Sequence, residues 1–129
     1  MIVVTGGAGF IGSCIVAGLN ERGREDLIVV DELDEVKKKN LQNKKYRQYY
    51  DKKDFLGLIV TDKFKEHPEA IIHMGACSST TLQDARYFKE NNLEYTRSLA
   101  QWALKHNVRF IYASSAATYG DGSVGYKDD

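Results

Sequence analysis

Thr5-Gly6-Gly7-Ala8-Gly9-Phe10-Ile11-Gly12 is the stretch that decides how the chain is read. Gly6, Gly9 and Gly12 stand three apart, directly after the β-branched run Ile2-Val3-Val4 and directly before a segment with Ile11, Ile15 and Leu19 at steps of four. The first pattern predicts a buried strand and the second one face of a helix. At such a strand-to-helix turn each glycine has its own task. Gly6 permits the tight turn, Gly9 lets a pyrophosphate approach bare backbone, and Gly12 lets the helix pack close to the sheet. Free N–H groups and the helix dipole then favour phosphate at the helix start. No lysine follows Gly12, which excludes a Walker A loop.

Working outward, Gly23 closes the first helix, which runs to about residue 22, and Leu27-Ile28-Val29-Val30 reads as a second buried strand ending on Asp31. A carboxylate there, about 20 residues beyond the glycines, suits the hydroxyls of an adenosine ribose. The lysines at 37, 38 and 39, with Lys52 and Lys53, are candidates to neutralise a 2′-phosphate, while Glu32 would repel one. That leaves NADP as the expected cofactor and NAD as its alternative. Residues 37–45 read as polar loop with some helix, 46–50 as a third strand and 52–66 as a helix before Pro68. Ala70-Ile71-Ile72-His73 is a fourth strand, 82–107 a long helix, and residues 109–113 a fifth strand. Strands alternating with helices predict an α/β, doubly wound parallel sheet of about five strands, with ligands beyond the carboxyl ends of the strands. The unusual segments all follow strand ends: 6–12, Asp31, 74–81 and 114–120.

Composition narrows the function classes. The chain has 129 residues, the size of one domain, so residues 1–129 are read as a single dinucleotide-binding domain. Eighteen basic and eighteen acidic side chains cancel, which argues against a strongly basic nucleic-acid binder and against an acidic disordered tail. No apolar run approaches membrane-spanning length, and Met1 to Thr5 lack the positive start of a signal peptide, so no membrane partner is expected. Cys14 and Cys77 are too few for a disulfide scaffold and are expected reduced in a cytosol. No histidine or aspartate clusters near Cys77 to make it a nucleophile. His67 and His106 stand apart, so no metal site is expected. His73 reads as a structural strand-end residue rather than a base.

Three segments together resemble one family. The glycine turn looks like that of the extended short-chain dehydrogenases/reductases, a Rossmann-like group of NAD-dependent epimerases and dehydratases. Gly75-Ala76-Cys77-Ser78-Ser79-Thr80-Thr81 and Ala113-Ser114-Ser115-Ala116-Ala117-Thr118-Tyr119-Gly120 are similar to the ADP-L-glycero-D-manno-heptose 6-epimerase family within it, as are Asn91-Asn92 and Ser13. The fit is loosest over residues 32–45. The resemblance implies that Gly6, Gly9, Phe10, Ile11 and Gly12 lie against the cofactor phosphates. It puts Asp31 and Glu32 at the adenosine ribose, although the family often has Asn where Glu32 stands. Lys38 (or Lys37, the loop being one residue shorter) and Lys52 match positions near the 2′-phosphate. Met74, Gly75, Ala76, Cys77 and Ser78 would line the nicotinamide side, Asn91 would touch the cofactor, and Ser79, Thr80 and Thr81 would face an ADP-heptose substrate. Ser115 matches the catalytic serine.

The implied reaction is epimerisation at C6 of the heptose, in a cytoplasmic homo-oligomer serving lipopolysaccharide core synthesis. Other readings are a different sugar-nucleotide epimerase or dehydratase, or a dinucleotide-binding module without catalysis. The family's Tyr-x-x-x-Lys is expected after Gly120. Tyr112 is followed four residues on by Ala116 and Tyr119 by Ser123, while Tyr126 has only three residues after it. The general base is thus expected to be missing, and this chain alone to be the inactive cofactor-binding part. A missing covering helix would leave Leu99 and Trp102 partly exposed and the chain marginal or self-associating.

Overall fold

The computed structural model describes residues 1–75 and 85–113, the side chains of residues 85–91 excepted. Element order is β1 (Ile2–Thr5), α1 (Phe10–Glu21), β2 (Leu27–Asp31), α2 (Glu35–Asn40), β3 (Gln48–Asp51), α3 (Lys52–Val60), β4 (Ala70–His73), α4 (Ala85–Lys105) and β5 (Arg109–Tyr112). The strands form one parallel sheet in the order β3-β2-β1-β4-β5. The chain starts in the middle, winds outward to β3, then crosses to the other side at β4. The crevice between β1 and β4 is therefore the switch point at which such sheets bind ligands.

Strand alternation assigns each side chain to a layer. Val3, Ile28, Val30 and Ile71 pack with Phe55 and Ile59 of α3 and with Tyr95, Leu99 and Trp102 of α4. Ile2, Val4, Leu27 and Val29 pack with Val16 of α1 and with Leu41. Both faces of the central strands are covered, which is why those strands read as unbroken apolar runs.

Three differences from the sequence reading have local causes. Residues 35–40 are helical because the Asp34 carboxylate caps the Lys37 N–H at 2.8 Å. Helix α3 stops at Val60, short of residue 66. Asp62 adopts a left-handed φ of 55°, and its carboxylate binds Lys105 Nζ and His106 Nε2 of the α4 end, each at 2.8 Å. Those bonds, that to Lys105 first, hold Asp62 down to a pKa of about 2. Beyond the turn, Phe64 re-enters the core from a loop, 5.2 Å from the Phe55 ring and 5.5 Å from the Trp102 ring.

That insertion overturns the expected exposure of Leu99 and Trp102, which are 0% and 4% exposed. Helix α3 and Phe64 cover them, and among the described side chains of α4 the large apolar ones that stay exposed are Leu93 and Leu104. No helix among the described residues is long and apolar enough to cross a membrane. None of the described residues forms a group of three or more His, Cys, Asp or Glu able to hold a metal.

Candidate dinucleotide site

The glycine turn sits at the β1 end of the switch-point crevice. Gly6 takes a φ of 66° and its N–H donates to Val30 O at 2.7 Å, which ties the turn to β2. Gly9 is the N-cap of α1, where no side chain caps the first turn and no acidic residue occupies it. The N–H groups of that turn have no intrahelical partners, so an anion is their natural ligand. A Cβ on Gly9 would meet only Gly6 O, at 3.3 Å, and otherwise enter open space. The backbone is thus bare where the sequence reading places a pyrophosphate. Phe10 and Ile11 project from the rim, 81% and 58% exposed.

Asp31 lies opposite, at the end of β2, and is 8% exposed. Its Oδ2 accepts the Ala8 N–H at 2.9 Å, and its Oδ1 accepts the Glu32 N–H at 2.7 Å and Lys37 Nζ at 2.8 Å. Burial works against the Lys37 ammonium, but the bond to Asp31 and its charge outweigh that, and the pKa rises. Asn40 Nδ2 donates to Ala8 O at 2.9 Å. One residue of the glycine turn, Ala8, is therefore gripped at both its N–H and its C=O, by the Asp31 carboxylate and by the end of α2. Sequence reasoning missed Asn40, because nothing local marks an asparagine whose partner lies 32 residues away.

Of the lysine pair that the sequence left open, Lys37 is the one at Asp31. Lys38 points away, 3.5 Å from Glu35 on an exposed face. Lys52 Nζ stands over the Tyr95 ring, 4.8 Å from its centroid. Tyr49 and Lys53 do carry the Tyr-x-x-x-Lys spacing. They share no helix, since Tyr49 is in β3 and Lys53 opens α3. The Tyr49 phenol donates to Asp31 O at 2.5 Å, and its pKa is pushed up to about 12, by burial first and then by Asp51 and Asp31. It is a half-buried tie between β3 and β2.

On the β4 side, Met74 and Gly75 lie against the glycine turn. A Cβ on Gly6 would come within 2.6 Å of Met74 O and 2.8 Å of Gly75 N. His73 is 4% exposed and bonded at both ring nitrogens, to Thr5 Oγ1 at 2.6 Å and Thr96 Oγ1 at 2.9 Å. Its neighbours are the rings of Tyr95 and Phe110, the Lys52 ammonium being the nearby charge. Burial chiefly, and Lys52 second, push its pKa down to about 4.

The unfolded chain then takes up that proton more readily than the folded one. Stability is whole above about pH 6.5 and declines as pH falls towards 4, by about 1.4 kcal/mol per pH unit. Urea unfolding at pH 5 should give a stability about 2 kcal/mol below that at pH 7. A His73→Asn chain should lose most of that difference, and equal wild-type stabilities at the two pH values would contradict the assignment. Asp62, Asp26 and Glu69 have pKa values lowered by their partners, so their contributions are lost only as pH falls through the ordinary carboxylate range of about 4, below the pH 5 of this comparison.

Asn91 lies in α4, but its side chain is outside the described residues, as are Ala76, Cys77, Ser78, Ser79, Thr80, Thr81 and Ser115 in full. The residues that are described suit a dinucleotide. They provide a bare glycine turn, open N–H groups at a helix start and a carboxylate at the end of the next strand.

Comparison with known proteins agrees with this geometry. A chain from Alkalilimnicola ehrlichii named ADP-L-glycero-D-manno-heptose-6-epimerase is 54% identical over 125 residues, which is 96% of this chain and 39% of that one. Its namesake in Nitratidesulfovibrio vulgaris is 50% identical over 130 residues, 100% of this chain and 40% of its own. The chain thus spans about 40% of the length of the curated relatives it matches. Among solved structures, UDP-glucose 4-epimerase from Bifidobacterium longum, in complex with NAD+ and UDP, superposes with a TM-score of 0.73 at 29% identity. That match covers 92% of this chain and 38% of the other. The model of the NAD dependent epimerase/dehydratase family matches residues 2–129, and the chain belongs to that family.

Proposed function

We propose that residues 1–129 form the dinucleotide-binding domain of a cytoplasmic sugar-nucleotide epimerase that uses NADP and acts on ADP-glyceromanno-heptose. One observation carries the cofactor reading: a buried carboxylate, Asp31, grips the phosphate turn through Ala8 and holds the Lys37 ammonium 2.8 Å away. Ribose hydroxyls would bond Asp31, and a 2′-phosphate would draw Lys37 off it. The substrate reading is supported by the 54% and 50% identities to heptose epimerases. A second reading, NAD, is favoured by Glu32, an exposed carboxylate beside Asp31.

NADP, when bound, would supply a reversible hydride acceptor for C6 of the heptose, so that loss and return of hydride and of the C6 hydroxyl proton would invert C6 with no net oxidation. This chain's share is to hold the adenosine ribose at Asp31, the pyrophosphate at the α1 start, and the nicotinamide side against Met74 and Gly75. Ser115 would orient the C6 oxygen. Proton transfer is assigned to a Tyr-x-x-x-Lys elsewhere in the whole homo-oligomeric protein.

Calorimetry of this chain with NADP and with NAD tests the cofactor. NADP should bind, and Lys37→Ala should weaken it about tenfold or more while changing NAD little, as loss of one phosphate ion pair implies. Failure of both dinucleotides to bind would sink the reading. NMR of ADP-heptose incubated with the full-length protein tests the substrate, inversion at C6 being the expected result.

A further inference from the structure

Strands β1 and β4 end side by side, and a run of hydrogen bonds crosses their ends to α4. The Met74 N–H points at Thr5 O at 3.0 Å and at Thr5 Oγ1 at 3.2 Å. An amide can only donate, so Thr5 Oγ1 accepts there. Thr5 Oγ1 keeps a second lone pair, but among the described hydrogen bonds its own proton finds an acceptor only at His73 Nδ1, 2.6 Å away. That leaves Nδ1 bare and places the ring proton on Nε2, which donates to Thr96 Oγ1 at 2.9 Å. All donors run one way, from Met74 to Thr5, from Thr5 to His73, and from His73 to Thr96. Bonds so aligned polarise one another, most strongly at the buried Thr5–His73 bond.

We propose that His73 and Thr96 are positioning residues for the dinucleotide, fixing the Met74–Gly75 turn against the glycine turn by selecting one tautomer of His73. The inference rests on the dinucleotide reading above. Its force comes from the closeness of the two turns. With no room for a Cβ between Gly6 and Met74 O, a shift of a few tenths of an ångström changes the crevice. Its reference point is rigid, since Thr96 sits on α4 between Tyr95 and Leu99, both in the core. A histidine suits this place because one flat ring spans the gap and offers an acceptor at one edge and a donor at the other. It also packs its faces on Tyr95 and Phe110.

The test compares wild type with Thr96→Val, which removes the acceptor at nearly constant shape, and Thr96→Ser, which keeps it. Nitrogen-15 NMR of the free wild-type chain should show His73 protonated on Nε2, and Thr96→Val should mix the tautomers. Amide exchange at Met74 should speed up in the valine variant alone. NADP affinity by calorimetry should fall about tenfold in Thr96→Val, the loss expected for one hydrogen bond, and return to within about twofold in Thr96→Ser. A wild-type Nδ1–H tautomer, or unchanged affinity in Thr96→Val, overturns the proposal. Absence of any dinucleotide binding by wild type would instead overturn the reading beneath it, and the proposal with it. If Thr96→Val does not fold, Thr96→Ala against Thr96→Ser gives the same comparison.

Discussion

Gly12→Ala should destabilise the chain by about 3 kcal/mol or more and abolish the proposed dinucleotide binding. A Cβ at this position would lie 1.9 Å from Gly6 O, 2.7 Å from Gly6 C and 2.9 Å from Gly7 Cα. All three are backbone atoms, so no side-chain rotation relieves the clash. Either α1 backs away from the sheet or the turn opens. The first strips Val16 from its contacts with the apolar layer beneath, and the second pulls Gly6 from its bond to Val30 O. Both routes move the N–H groups that would face a pyrophosphate. Gly18→Ala is the matched control in the same helix, because a Cβ there meets nothing within 4 Å. It should stabilise by about 0.8 kcal/mol through helix propensity alone. Urea midpoints of the two variants should therefore move in opposite directions. A Gly12→Ala chain within about 1 kcal/mol of wild type would show that the close approach of α1 is unnecessary.

Asp31→Ala should have the next largest effect, about 2–4 kcal/mol of stability and about a hundredfold or more in dinucleotide affinity. Three donors lose their acceptor together. The Ala8 N–H is the costliest to orphan, since Ala8 is fully buried. Lys37, half-buried, is left as an unpaired ammonium. The ribose also loses the carboxylate proposed to receive its hydroxyls. Asp31→Asn separates these contributions. It keeps one acceptor for Ala8 or Glu32 but removes the charge that holds Lys37. If Lys37 reads a 2′-phosphate, Asp31→Asn should weaken NAD more than NADP, because the freed ammonium favours the phosphate. Equal losses for both, measured by calorimetry, would remove Lys37 from cofactor selection.

Much of this molecule is written in short-range patterns. The run Ile2-Val3-Val4, three glycines at steps of three and the repeat of Ile11, Ile15 and Leu19 specify strand, turn and helix through contacts between near neighbours. The same holds for Leu27–Asp31 and Ala70–His73, both found in the sheet where the sequence put them. The parallel order follows from alternation of strands and helices, because a parallel pair needs a crossover and the crossover has one preferred hand. Asp31 was legible as a candidate site residue because the end of the second strand stands next to the first turn in any such sheet.

Tertiary structure decided which distant groups meet. Whether Lys37 or Lys38 reaches Asp31 depends on the rotation of α2, set by the Asp34 cap and the Asn40 bond to Ala8. The spacing of Tyr49 and Lys53 suggests a helical pair, but a strand end falls between them. Leu99 and Trp102 are covered by Phe64, which sits outside any regular element and follows no period. Thr96 has no local mark, and only the packing of α4 brings it to His73, 23 residues earlier. Sequence determined the elements and their order, since these rest on periodicity, turn residues and chain connectivity. The grip on Ala8 and the bond from His73 to Thr96 required the packed fold, because each joins groups that only the closed core brings within hydrogen-bond reach.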